Sequence, residues 1–95
     1  MPALTMKQRV ASLTPRLRQV ARLVSLGCSV GEMADILGLA HSTVDNHKTH
    51  LFARLGTNKA AVVTRIAIKY RISPLGDKLT PAEKRKSGHK RDGWN

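Results

Sequence analysis

The chain has 95 residues and a formal net charge of +11 at pH 7, from 17 Lys and Arg against 6 Asp and Glu. A chain of this length holds one small domain, which excludes multidomain machinery, and its charge points to polyanions such as nucleic acid, anionic lipid or an acidic protein face. Only Phe52, Tyr70 and Trp94 are aromatic, too few to stack the successive bases of a single strand, so a duplex backbone is the expected polyanion.

Residues 1–12 read as an N-terminal extension. They lack the charged-then-apolar order of a signal peptide, and Leu4, Met6 and Val10 offer some apolar cover to whatever follows. A domain at 13–73 then opens on Thr14 and Pro15. The threonine hydroxyl can cap free N–H groups, and proline fills the position whose N–H has no partner. A helix from Pro15 to about Leu26 places Leu17, Val20, Ala21 and Val24 on one face, with Arg18 and Arg22 pointing away, and Gly27 ends it. Cys28 is the single cysteine. It cannot form an internal disulfide, and its apolar setting suits a small buried hydrophobe in an intracellular protein.

Ser29 and Glu32 form a capping-box pattern that starts a second helix at Val30. Met33, Ala34 and Leu37 recur at helical spacing to Leu37, and Gly38 turns the chain. A third helix follows after three residues and runs from about 41 to 55, stopped by Gly56. Two short helices joined by a brief glycine-containing turn are the mark of a helix-turn-helix, with Ala34, Gly38 and Val44 allowing a close crossing. Val44, Leu51 and Leu55 form the core face of the third helix, His47 lies beside them and Phe52 flanks them. The opposite face carries Ser42, Asp45, Asn46, Thr49 and Ala53. A solvated face is usually rich in Lys and Glu, whereas a face set against base edges needs short hydrogen-bonding side chains.

A fourth helix is expected from about 58 to 72, ending before Pro74. Val62, Val63, Ile66, Ala67 and Tyr70 form a broad apolar arc for the domain's own core. A second arc, Ala61, Ile68 and Ile72 with Arg65 beside it, calls for a partner, and a second copy of the chain fits that need. The basic tail, 74–95, has almost no apolar residues to offset its ordering entropy and is expected to be disordered. It repeats Leu13-Thr14-Pro15 as Leu79-Thr80-Pro81 with Glu83 beyond, which allows a short helix from Pro81 to about Lys86 but offers nothing apolar after it for docking. Lys84, Arg85, Lys86, Lys90 and Arg91 would add sequence-independent affinity through phosphates. Most of the charge lies elsewhere: residues 1–75 hold a net +8 and the tail from Gly76 a net +3.

From Leu13 to Ile72 the chain resembles the LuxR/GerE-type helix-turn-helix DNA-binding domain. The resemblance rests on Leu13-Thr14-Pro15-Arg16, Val20, Gly27, Ser29, Ala34, Leu37-Gly38, Thr43-Val44, Asn46-His47 and Leu55-Gly56, in order and at matching spacing. It implies an all-α, four-helix bundle whose third helix enters the major groove and whose fourth pairs two copies over inverted half-sites. It also implies base contacts from Ser42, Asp45, Asn46 and Thr49, and backbone contacts from Thr43, His47, Lys48 and Lys59. Asn46 can bond an adenine edge at two points. The chain departs from the family pattern at Leu17, which removes the capping-box partner of Thr14, and at Ala40, where a capping serine is common and Ser42 could shift the cap inward. It departs again at Asp45, where lysine is frequent; a carboxylate can accept from a cytosine amino group, so the preferred sequence should differ.

These features imply a sequence-specific transcription regulator that binds double-stranded DNA as a homodimer, with RNA polymerase as a further partner. The alternative is a protein-interaction module that docks on the transcription machinery without reading DNA. No catalytic constellation appears, so no enzyme activity and no cofactor are expected. His47 and His50 lack a third ligand, so no metal is expected. No run approaches the ~18 apolar residues of a membrane span, and a cytoplasmic, nucleoid-associated protein is expected. Twelve residues before Leu13 cannot form a receiver or ligand-binding domain, so signal input is not expected within this chain.

Overall fold

Helix caps set the architecture. In the computed structural model, which describes residues 4–88, six helices follow one another: α1 (Met6–Ala11), α2 (Pro15–Ser25), α3 (Val30–Leu37), α4 (His41–Leu55), α5 (Ala60–Lys69) and α6 (Pro81–Ser87). The four predicted helices are α2 to α5, and the described residues contain no strand. Thr14 accepts the Leu17 N–H at the start of α2, while Ser29 and Glu32 close a reciprocal capping box at the start of α3. At Gly38 the chain turns with φ +66°, and nothing lies within 4 Å of an added Cβ. Glycine is therefore required there by backbone conformation and not by space.

α2 is the centre of the bundle and packs against both α4 and α5. Its Leu17, Val20, Ala21, Leu23 and Val24 are buried. They meet Val44, Leu51 and Leu55 of α4 and Val63 and Ile66 of α5 in one core. α3 crosses α4, with Ala34 and Val44 both buried, as a small residue facing a branched one requires for a close crossing.

The fourth predicted helix is shorter than expected at both ends. Lys59 is the N-cap residue of α5, preceded by a turn in which the Lys59 N–H donates to Thr57 Oγ1. At the other end Arg71 takes a left-handed conformation, φ +59°. The Arg71 N–H donates to Ile68 O and the Ile72 N–H to Ala67 O. This is the glycine-type helix stop, built here on an arginine. The cap of α4 also differs from expectation. Ser42 does not move it inward: Ala40 is the N-cap residue, and no side chain caps the helix.

The short helix expected from Pro81 is present as α6, and what needs correction is the docking of the segment that carries it. Residues 76–88 are not a loose extension, because Leu79 is 2% exposed within the core cluster and α6 packs on α3. The buried apolar residue of the segment, Leu79, precedes its helix instead of following it. Burying such a leucine contributes roughly 1.5–3 kcal/mol. On α3, which α6 packs against, Ile36 is 8% exposed and belongs to the same core cluster. Lys90, Arg91 and Trp94 lie outside the described residues.

The N-terminal extension also contributes to the bundle. Thr5 and Gln8 form a capping box, and α1 packs on α4 with Val10 buried in the core. Three arginines fasten it through main-chain carbonyls: Arg9 donates to Arg54 O, Arg54 to Ser12 O and Arg18 to Val10 O, at 2.9–3.1 Å.

Candidate nucleic-acid interface

A helix of fifteen residues with three buried side chains leaves most of its surface to solvent, and α4 is such a helix. Ser42, Asp45, Asn46, Thr49 and Ala53 are all exposed on it. Their spacing of three and four residues gathers them into one stripe opposite Val44, Leu51 and Leu55. Thr49 Oγ1 donates to Asp45 O at 3.0 Å, so this hydroxyl keeps its oxygen free to accept a further bond. The backbone capping of α3, the αL turn at Gly38 and the α3–α4 crossing fix the stripe's orientation relative to the body. Rigid mounting of this kind lets short side chains act without a long reach.

The residues implied to touch a backbone are arranged differently. Thr43, His47 and Lys48 are half-buried at the edges of the stripe, and Lys59 is exposed at the start of α5. The Lys48 ammonium sits 5.7 Å from the centroid of the Phe52 ring, so its stem lies along the helix with the charge held near the surface. His47 lines a shallow cleft with Thr14, Leu17, His50, Ala53 and Arg54, between the start of α2 and the middle of α4. The structure thus brings Ser42, Thr43, Asp45, Asn46, His47, Lys48 and Thr49 onto one helix with Lys59 beyond its far end. Among the described residues, no three His, Cys, Asp or Glu could hold a metal ion.

On α5, Ala61, Arg65 and Ile68 are exposed, Ile68 at 37%. Ile72 is partly buried and packs against the core beyond the end of the helix. Met6 of α1 and Val62, Arg65, Ile66, Ile68, Lys69 and Tyr70 of α5 line an apolar groove.

One cation that the composition counted for a polyanion is occupied within the molecule. Arg22 donates to both carboxylate oxygens of Asp77 and of Glu83, with shortest contacts of 2.8 and 2.7 Å, and to Lys78 O. The bond to Glu83 raises the Arg22 pKa above its ordinary value against the opposing effect of burial, and Asp77 adds to the rise. Burial disfavours charge on Asp77, but the bonds from Arg22 and from Ser73 Oγ, with the Arg22 charge and the Lys78 N–H, hold its carboxyl below the usual range. Burial likewise opposes the Glu83 charge and is outweighed by Arg22 and by the Thr80 N–H and hydroxyl. Sequence reading placed Arg22 on a solvent face and missed this clamp. Its available signal was that the two acids of residues 74–88 are Asp77 and Glu83, the second inside a capping-box pattern. Nearby, burial pushes the Cys28 thiol up to about 12, with Glu32 and Glu83 adding to the rise and Arg22 opposing it.

The family model for bacterial regulatory proteins of the luxR family matches residues 11–67, more than half of the chain. Among curated proteins, the chain is 37% identical over 70 residues to one from Aeromonas salmonicida named as an HTH-type transcriptional regulator in the exeN 3′ region, covering 73% of this chain and 36% of that protein. It is 49% identical over 45 residues to a Mycobacterium bovis protein named as an HTH-type transcriptional regulator, covering 47% of this chain and 5% of the relative. It is 35% identical over 60 residues to the transcriptional regulatory protein MctR of Rhizobium johnstonii, covering 63% and 28%. The chain therefore spans about a third or less of the length of these relatives. No solved structure matches the chain significantly.

Proposed function

The chain belongs to the luxR family of bacterial regulatory proteins, and from that membership we propose that it binds double-stranded DNA sequence-specifically and regulates transcription. α4 lies in the major groove in this reading, with Ser42, Asp45, Asn46 and Thr49 at base edges and Thr43, His47, Lys48 and Lys59 at the backbone. The observation that carries it is the exposed stripe on α4: short polar side chains, rigidly mounted, with Lys48 at its edge and Lys59 beyond the end of the helix. A protein-docking helix of this exposure would be expected to show an apolar centre, and this one does not.

Two copies pair through α5 in this reading, using Ala61, Arg65, Ile68 and Ile72. The exposure of Ala61 and Ile68 supports pairing, and the two α4 helices would then address inverted half-sites. RNA polymerase is the protein partner such a regulator would act upon.

Selection from random duplexes, followed by titration of the selected duplex at several salt concentrations, tests the proposal. The expected result is a defined palindromic sequence, with affinity falling linearly on a log–log salt plot by about 0.9 per phosphate neutralised. A single, non-repeated half-site would overturn pairing alone. No duplex binding at low salt would overturn DNA reading in favour of a protein-docking module.

A further inference from the structure

α5 and the residue that caps it carry two parallel rows of side chains. Val62, Ile66 and Tyr70 recur every four residues and form an apolar row, and Arg65 and Lys69, at the same spacing, form a cationic row beside it. The apolar row belongs to the arc that faces the core, yet only Ile66 is buried, while Val62 and Tyr70 are half-buried. Together with Met6 of α1, Ile68 and the two cations, this row lines one groove. The Lys69 ammonium sits 5.5 Å from the centroid of the Tyr70 ring, so its charge is held beside an apolar wall. Among the described residues, no carboxylate forms an ion pair with Arg65 or Lys69. Neither α1 nor α5 contains an acidic residue, and Lys7 and Arg9 of α1 add to the same sign.

The charge pattern decides between occupants. In a symmetric pair a surface patch meets itself, so a second copy would cover the apolar row but offer Arg65 and Lys69 only cations. Like charges set against each other across an interface cost affinity. A small apolar anion would be poorly enclosed, because Arg65, Ile68 and Lys69 are exposed, whereas ligand pockets bury most of their ligand. A helix laid along α5 satisfies both rows. Rows at four-residue spacing are the ridges that interlock when helices pack, and apolar anchors at i, i+3, i+4 and i+7 of the incoming helix would bury Val62, Ile66 and Tyr70. Carboxylates on its flank, three or four residues apart, would then supply the counter-charge that Arg65 and Lys69 lack within this chain.

We propose that the groove lined by Met6, Val62, Ile66 and Tyr70, with Arg65 and Lys69 along it, docks an acidic amphipathic helix of another protein. This rests on neither the duplex-binding nor the pairing reading above. It differs from general attraction to a basic chain in that it needs the apolar row as well as the charges.

The test uses the whole chain, isotopically labelled, and a synthetic peptide of about 15 residues, the length at which an isolated helix begins to hold. The peptide carries leucine at i, i+3, i+4 and i+7 and glutamate on the flanks. Its controls are a scrambled peptide of the same composition and a peptide with lysine in place of each glutamate. The glutamate peptide should shift amide resonances centred on Met6 and on residues 62–70, with affinity that falls as salt is added, and the scrambled peptide should lose those shifts. Both cations are exposed, so Arg65→Glu with Lys69→Glu should keep the helical circular dichroism of the parent. That variant should bind the glutamate peptide roughly tenfold more weakly and accept the lysine peptide instead. Absence of binding, equal binding of the scrambled peptide, or shifts centred on α4 or α6 would overturn the groove as a docking site. Unchanged affinity in the double variant would overturn the acidic partner. Groove resonances that move with chain concentration alone, and that the peptide does not alter, would assign the groove to a second copy and overturn the proposal.

Discussion

Asn46 is exposed on α4, and its carboxamide offers both a donor and an acceptor to a base edge. A two-point contact of this kind discriminates by roughly 1–3 kcal/mol. Asn46→Ala is therefore expected to weaken binding to the selected duplex by about 5- to 150-fold while leaving random duplex nearly unchanged, as read by competition titration. An equal loss on both duplexes would assign Asn46 to the backbone. Asp45, one residue before, has no such latitude. Its charge opposes phosphate, so its presence in an exposed stripe favours a base-edge role over a backbone one.

At the scale of the helix, α4 and α5 each carry a weak end. α4 starts on Ala40 with no side-chain cap. A serine or asparagine at such a position typically contributes about 1 kcal/mol, so Ala40→Ser should raise the urea midpoint without changing the slope of unfolding. α5 ends on Arg71 at φ +59°. A left-handed conformation costs a residue with a Cβ about 1–2 kcal/mol, part of which glycine's greater unfolded freedom offsets. Arg71→Gly should stabilise the chain by roughly 0.5–1 kcal/mol in the same unfolding measurement. A loss of stability would show that the Arg71 side chain contributes more than its backbone strain removes.

For the molecule as a whole, a bundle of about 60 residues buries only roughly 60% of its unfolded surface, and both flanking segments add cover. α1 is held by arginine-to-carbonyl bonds and by Val10, α6 by Leu79 and the Arg22 clamp. The clamp makes docking pH-dependent. Asp77 and Glu83 titrate lower in the folded chain than in an unfolded one, so their contribution is complete above the ordinary carboxylate range. It declines as pH falls through that range and is lost below the folded values. In pH titrations followed by amide resonances, α6 should detach in acid while α2 to α5 remain folded. Arg22→Gln should largely abolish that pH dependence; an unchanged profile would assign docking to Leu79 alone.

The local code of this chain is strong enough to be read without a structure. Thr14-Pro15, Ser29 with Glu32, Gly38 and Gly56 mark helix ends through hydrogen bonds within three to five residues, which is why α2 to α4 were legible nearly to the residue. The polar stripe on α4 was legible for the same reason, since helical period alone groups Ser42, Asp45, Asn46 and Thr49. Two kinds of feature were not. The stop at Arg71 is a conformation imposed on a residue that does not prefer it, so the residue type carries no sign of it. Arg22 meets Asp77 and Glu83 across 55 and 61 residues, a pairing that no local period encodes. Net charge, by itself determined by the sequence, therefore points toward a polyanion; only tertiary packing decided which cations remain outward, by turning two carboxylates and one arginine toward each other.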